Sequence, residues 1–175
     1  PAFCVGARAV LTGCHAVSDA RRARIRTDRG ETYSVVGVLA RDEEADLALL
    51  QVEMDAAFPR RLTVSTLEPV EGRRVCVVGG PFDRDGGCCP SYGVVLGKTY
   101  EASTFRVRVP ASPGWSGAPV LDEHGEVLGV TQALVGPVTL AVGPSTVKAL
   151  IDSGSGRTAV SMEKAAARGV YGRPE

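Results

Sequence analysis

The chain has 175 residues, 44% hydrophobic and 23% charged, which fits one folded domain or two half-domains sharing a core and excludes a disordered chain. Its 20 basic and 20 acidic residues cancel, which argues against nucleic acid or an anionic membrane as the main partner. No apolar run reaches the roughly 18–20 residues that a membrane-spanning helix needs.

Ala2 to Thr12 reads as two short strands around a Gly6-Ala7-Arg8 turn, the second being Ala9-Val10-Leu11-Thr12. That strand runs into Gly13-Cys14-His15, so His15 stands at a strand end, where a side chain is held rigidly yet can face a cleft. Arg22, Arg24 and Arg26 alternate with smaller residues, the period of a half-buried strand with a wet arginine face. Asp28-Arg29-Gly30 is a hairpin turn, and Glu31 to Leu39 is the return strand. Arg41 to Asp46 is an acidic loop whose last residue adjoins the apolar strand Leu47 to Val52. A carboxylate at that position is partly buried and needs donors, which a histidine N–H can supply.

Met54 to Val70 reads as a long loop, and Val75 to Val78 as a buried strand ending at Gly79-Gly80-Pro81. Asp83 to Pro90 is a loop, followed by strands over Ser91–Leu96 and Thr104–Val109. Pro113-Gly114-Trp115-Ser116-Gly117-Ala118 is a serine set among glycines, which reads either as a plain turn or as a nucleophile whose backbone lies close to a substrate carbonyl. Ala118–Leu121 and Glu126–Gln132 form a hairpin with His124 at its exposed tip, and Val138–Val142 is the last strand. Pro144-Ser145-Thr146 is expected to cap a short helix through Ile151. Residues 153–156 look like a linker, with either a short helix or a tail beyond.

Many short strands with a helix only near the end argue for an all-β barrel or sandwich. The five cysteines, Cys4, Cys14, Cys76, Cys88 and Cys89, are an odd number without zinc-type spacing. They favour a reducing compartment, and the localisation, cytoplasmic or other, stays open. No metal or cofactor is expected.

The segments around the three candidate residues share one resemblance. Val10-Leu11-Thr12-Gly13-Cys14-His15-Ala16-Val17 resembles the "VLTxxHVV" segment of HtrA-type serine proteases. Glu44-Ala45-Asp46-Leu47-Ala48-Leu49-Leu50 resembles their "xxDLALL", and Pro113 to Val120 their "PGNSGGPL". Glu71 to Phe82 is similar to "GdxVxAIGNPFG", Gly125 to Val130 to "GeViGI", and Leu140 to Ser145 to "FAIPs". The order His, Asp, Ser is that of chymotrypsin-type enzymes.

The resemblance spans roughly residues 4–151 and implies two antiparallel β-barrels of the six-stranded, chymotrypsin-like kind. The first barrel covers about 1–66, the second about 67–144, a terminal helix about 145–152, and 153–175 is linker and tail. The family's first strand is expected to be missing, as is a PDZ domain. The implied function is that of a serine endopeptidase acting on peptides or proteins, with His15 as base, Asp46 orienting it and Ser116 as nucleophile. The oxyanion hole falls to the N–H groups of Gly114 and Ser116. The specificity pocket falls to Val109, Pro110, Ala111 and Val130, apolar residues that suit a small or medium aliphatic side chain before the scissile bond.

Trp115 stands where the family carries Asn or Asp, and Ala118 replaces its second glycine. Cys4 and Cys14 fall near a bridge of chymotrypsin-like enzymes, although Cys14 precedes the histidine rather than following it. Two further readings stay open: a silent, peptide-binding relative, and a protease module of a larger signalling or defence protein switched on by a regulatory domain or partner.

Overall fold

The computed structural model describes residues 1–79, 89–100 and 103–169. Its elements in chain order are β1 (Ala2–Gly6), β2 (Ala9–Gly13), a 3-10 turn (Cys14–Ala16), β3 (Arg24–Arg26), β4 (Thr32–Asp42) and β5 (Leu47–Val52). There follow β6 (Arg74–Gly79), β7 (Cys89–Lys98), β8 (Thr104–Arg108), β9 (Pro119–Leu121), β10 (Val127–Val135) and β11 (Val138–Val142). The chain continues with α1 (Pro144–Gly154), β12 (Val160–Ser161) and α2 (Met162–Gly169). The nearly all-β reading holds. Cys88 and most of the loop expected over Asp83–Pro90 lie outside the described residues.

The C-terminal half is a closed barrel in the order β10-β11-β8-β7-β6-β9. Its interior is a period-two set of small and β-branched side chains: Val77, Val95, Val107, Val120 and Ala141, with Phe105 filling the remaining width. The N-terminal half is a six-stranded sheet, β1-β2-β5-β4-β12 with β3 on β4. One register in it matters most for the site. β2 pairs β5 antiparallel as far as Gly13↔Leu47, so the residues just past Gly13 and just before Leu47 must meet although they are far apart in sequence.

A core cluster joins the halves. Phe3, Leu11, Leu47 and Leu49 of the first sheet pack with Val127, Val130 and Val142 of the barrel and with Val147 and Leu150 of α1. Burying these side chains, each worth about 1.5–3 kcal/mol, fixes one half against the other and with it the cleft between them. The cap of α1 differs from expectation. Gly143 is the N-cap, with no side-chain bond, and Pro144 occupies the first turn, where its missing N–H costs nothing.

The stretch expected as a linker with either a short helix or a tail beyond forms a strand and a helix, and both pack on the first sheet. α1 runs through Gly154, and after a turn Val160 pairs with Val38 and Ser161 with Gly37. Met162 and Ala165 of α2 then bury against Val10, Cys14, Val38 and Leu50. Gly37 is needed there because a Cβ on it would lie 2.2 Å from the Val160 carbonyl oxygen.

Candidate active site

The Gly13↔Leu47 register puts the 3-10 turn of Cys14–Ala16 beside the end of the acidic loop. The Cys14 N–H donates to the Asp46 carbonyl at 3.0 Å, and the His15 N–H donates to Asp46 Oδ1 at 2.8 Å. Asp46 Oδ2 then takes His15 Nδ1 at 2.6 Å. A carboxylate only accepts, so Nδ1 carries the proton and a neutral imidazole leaves Nε2 as its free acceptor. The His15 side chain is 57% exposed and that of Asp46 27%, so the pair sits at the cleft rather than in a core.

Asp46 has φ +51°, the one non-glycine residue with positive φ among the described residues. Aspartate is one of the few side chains that tolerate this region, at a cost of about 1–2 kcal/mol. The loop supports it through Ala45 N–H on Asp42 Oδ1 at 2.9 Å. Gly13 leaves no room under the pair: a Cβ there would lie 2.9 Å from His15 Cε1, 3.2 Å from Nδ1 and 3.5 Å from Asp46 Oδ2.

The serine turn is held by Thr131 of β10. The Gly117 N–H donates to the Thr131 carbonyl at 2.8 Å, the Thr131 N–H to the Ala118 carbonyl at 2.9 Å, and Thr131 Oγ1 to the Trp115 carbonyl at 2.5 Å. Gly117 has φ +85°, and a Cβ on it would lie 2.6 Å from the Pro1 carbonyl oxygen and 2.8 Å from Gly13 N. The turn bearing Ser116 therefore abuts the strand end bearing His15, and only glycine permits that approach. Ala118 keeps an ordinary negative φ, so its replacement of the family's second glycine costs nothing.

Trp115 does not crowd the cleft. Its ring is buried in the barrel against Gly79 and Ala118, 7% exposed, with no partner for Nε1 among the described residues. Among the described residues, the N–H groups of Gly114 and Ser116 have no acceptor in the chain. Ser116 Oγ donates to the Gln132 carbonyl at 2.5 Å and makes no hydrogen bond to His15.

Gln132 escaped the sequence reading. It is the extra residue of a register shift in β10, between Thr131↔Ala141 and Ala133↔Leu140, so it has no strand partner. Its Nε2 donates to the Ala45 carbonyl at 2.8 Å. A glutamine inside an otherwise mostly apolar strand was the only signal available.

Three of the four expected pocket residues meet. Val109, Pro110 and Ala111 line a depression of about 550 Å³ with Tyr92, Leu134 and Pro137. Val130 does not belong there. β10 is covered on both sides at this point, and Val130 faces the core between the halves with 0% exposure. Cys4, Cys14, Cys76 and Cys89 are free thiols, so no Cys4–Cys14 bridge forms. Burial pushes the Cys14 thiol up, and the nearby Asp46 carboxylate acts in the same direction, so the cysteine beside His15 is not a thiolate nucleophile. Among the described residues no group of three or more His, Cys, Asp or Glu is placed to hold a metal ion.

The sequence profile of the trypsin-like peptidase domain matches residues 2–130. The chain belongs to this family. It is similar to the mitochondrial serine protease HTRA2 of Bos taurus, 27% identical over 143 residues, covering 76% of this chain and 31% of that protein. It is also similar to a probable periplasmic DegP-like serine endoprotease of Pseudomonas putida, 31% identical over 135 residues, covering 71% of this chain and 27% of that protein. The chain thus spans about a third or less of these relatives. In fold it resembles the crystal structure of the serine endoprotease from Yersinia pestis, with a TM-score of 0.77 and 18% identity over 89% of this chain and 58% of that one. That likeness places the barrel and sheet described above in the chymotrypsin-like fold.

Proposed function

We propose that this domain is a serine endopeptidase working through His15, Asp46 and Ser116. The observation that carries the reading is the 2.6 Å His15 Nδ1–Asp46 Oδ2 bond at the strand end against which the Ser116 turn is packed. Ser116 Oγ attacks the scissile carbonyl while His15 Nε2 takes its proton. The N–H groups of Gly114 and Ser116 stabilise the oxyanion, each worth about 3–4 kcal/mol in comparable sites. His15 returns the proton to the leaving amine, and water then hydrolyses the acyl-enzyme by the same route in reverse. Asp46 holds the imidazole in the tautomer this requires. Val109, Pro110 and Ala111 take a small or medium aliphatic side chain of the peptide before the scissile bond.

A second reading has an observation of its own. Ser116 Oγ rests on the Gln132 carbonyl, which suits a protease module switched on by a partner or by substrate. One experiment addresses both readings: reaction with a fluorophosphonate, read by intact mass, for wild type and Ser116→Ala. Labelling of wild type alone supports the enzyme, and a peptide library then gives cleavage after aliphatic residues. A folded wild type that never labels refutes a constitutively active peptidase and leaves the switched module.

A further inference from the structure

The residue that ties the serine turn to the acidic loop comes from neither. Gln132 sits on β10 in the barrel, yet its side chain crosses to the first sheet and donates to the Ala45 carbonyl at 2.8 Å. That carbonyl belongs to the peptide that precedes Asp46, so its orientation is coupled to the φ of Asp46. Asp46 holds an unfavourable +51°, and the two bonds its carboxylate accepts from His15 depend on that conformation. A fixed Ala45 carbonyl blocks the relaxation of Asp46 to negative φ. At the same residue the register shift in β10 frees the Gln132 carbonyl from the ladder, and Ser116 Oγ occupies it.

We propose that Gln132 is a positioning residue that holds Asp46, and through it His15, in register with the Ser116 turn across the two halves of the molecule. The proposal rests on the peptidase reading for its rate consequence but not for its structural one. Side-chain substitution leaves the Gln132 carbonyl, and hence the resting place of Ser116, in place. Only the tie to Ala45 is removed.

The test compares wild type, Gln132→Met and Gln132→Glu by fluorophosphonate labelling rate and by the low-field proton resonance of the His15 Nδ1–H, identified through its loss in His15→Gln. Methionine keeps the volume without a donor, and the lost hydrogen bond slows labelling by about 3- to 10-fold. Glutamate sets a carboxylate against the Ala45 carbonyl and slows labelling further. In both variants the His15 resonance broadens or disappears while the melting temperature changes little. Labelling at the wild-type rate with an unchanged His15 resonance overturns the proposal, as does a slower rate with that resonance intact. If Gln132→Glu fails to fold, Gln132→Met alone decides. If wild type does not label at all, the reading of a constitutively active peptidase fails, and the His15 resonance still decides the role of Gln132.

Discussion

Gly13→Ala separates the geometry of the His15–Asp46 pair from the stability of the fold. Gly13 has φ −67° and ψ 136°, extended backbone that alanine adopts without strain. The added methyl meets the imidazole instead, 2.9 Å from Cε1 and 3.2 Å from Nδ1. Carbon atoms prefer about 3.5–4.0 Å, so the ring edge must retreat by roughly 0.6–1 Å. It has somewhere to go, since the His15 side chain is 57% exposed. The retreat draws Nδ1 away from Asp46 Oδ2, now at 2.6 Å, and out of the normal range for a hydrogen bond.

A hydrogen bond to a charged group is worth about 1.5–3 kcal/mol, which corresponds to a loss of roughly 10- to 150-fold in acylation rate. Stability moves the other way or not at all, because alanine restricts the unfolded chain by about 0.4–1 kcal/mol relative to glycine. Fluorophosphonate labelling and thermal unfolding of the same sample give the two quantities. Labelling within twofold of wild type, with the His15 Nδ1–H resonance intact, would show that the space under the ring is not what holds the pair, and the reasoning would fail.

Ser65→Ala tests a polar pair remote from the cleft. Burial alone pushes the Asp122 carboxyl up, but the Ser65 hydroxyl at 2.5 Å and the N–H groups of Glu126 and His124 outweigh it and hold it below its ordinary value. A carboxyl depressed in the folded state contributes stability above its unfolded value, near about 3.9, and loses it as the pH falls through the folded value. Urea midpoints should therefore show Ser65→Ala about 1–3 kcal/mol less stable near neutral pH, with the gap narrowing below about pH 4. A gap constant across that range refutes the assignment. Gly37→Ala, with its Cβ 2.2 Å from the Val160 carbonyl oxygen, should expel β12 and α2. The loss of Met162 and Ala165 from the core costs about 2–4 kcal/mol, and trypsin should cut rapidly after Lys164, which wild type resists.

What the sequence made legible was local chemistry at element ends. His15 after an apolar strand, Asp46 before another and Ser116 between glycines each carried their own signal. The Gly13↔Leu47 register then joined the first two. What stayed hidden depends on contacts that no local pattern encodes. Val160–Ser161 is too short a strand to show a period, and Gly154-Ser155-Gly156 has a linker's composition, so the sequence left a helix or a tail open although β12 joins the first sheet and α2 packs on it. The resemblance puts Val130 in the pocket with the other implied residues, whereas it packs in the core between the halves. Gln132 is a polar residue whose meaning lies in a register shift and in an acceptor 87 positions away.

These hidden contacts concentrate where the halves meet, and that bears on how Ser116 could be activated. The backbone of its turn is fixed by Thr131 and by the approach of Gly117 to Gly13. On the proposed mechanism, the resting serine must first leave the Gln132 carbonyl by rotation about its Cα–Cβ bond. That rotation gives up one neutral hydrogen bond to the Gln132 carbonyl, a net cost of about 0.5–1.5 kcal/mol. A bound substrate that competes for the Gln132 carbonyl, or for the space around it, supplies that much from a single contact. Among the described residues the Gly114 and Ser116 N–H groups have no chain acceptor, so on the proposed mechanism a partner need not free them. Activation by a partner would then act through the packing of Phe3, Leu11 and Leu47 on Val130 and Val142, since displacement of one half against the other moves Ser116 relative to His15 without altering either turn.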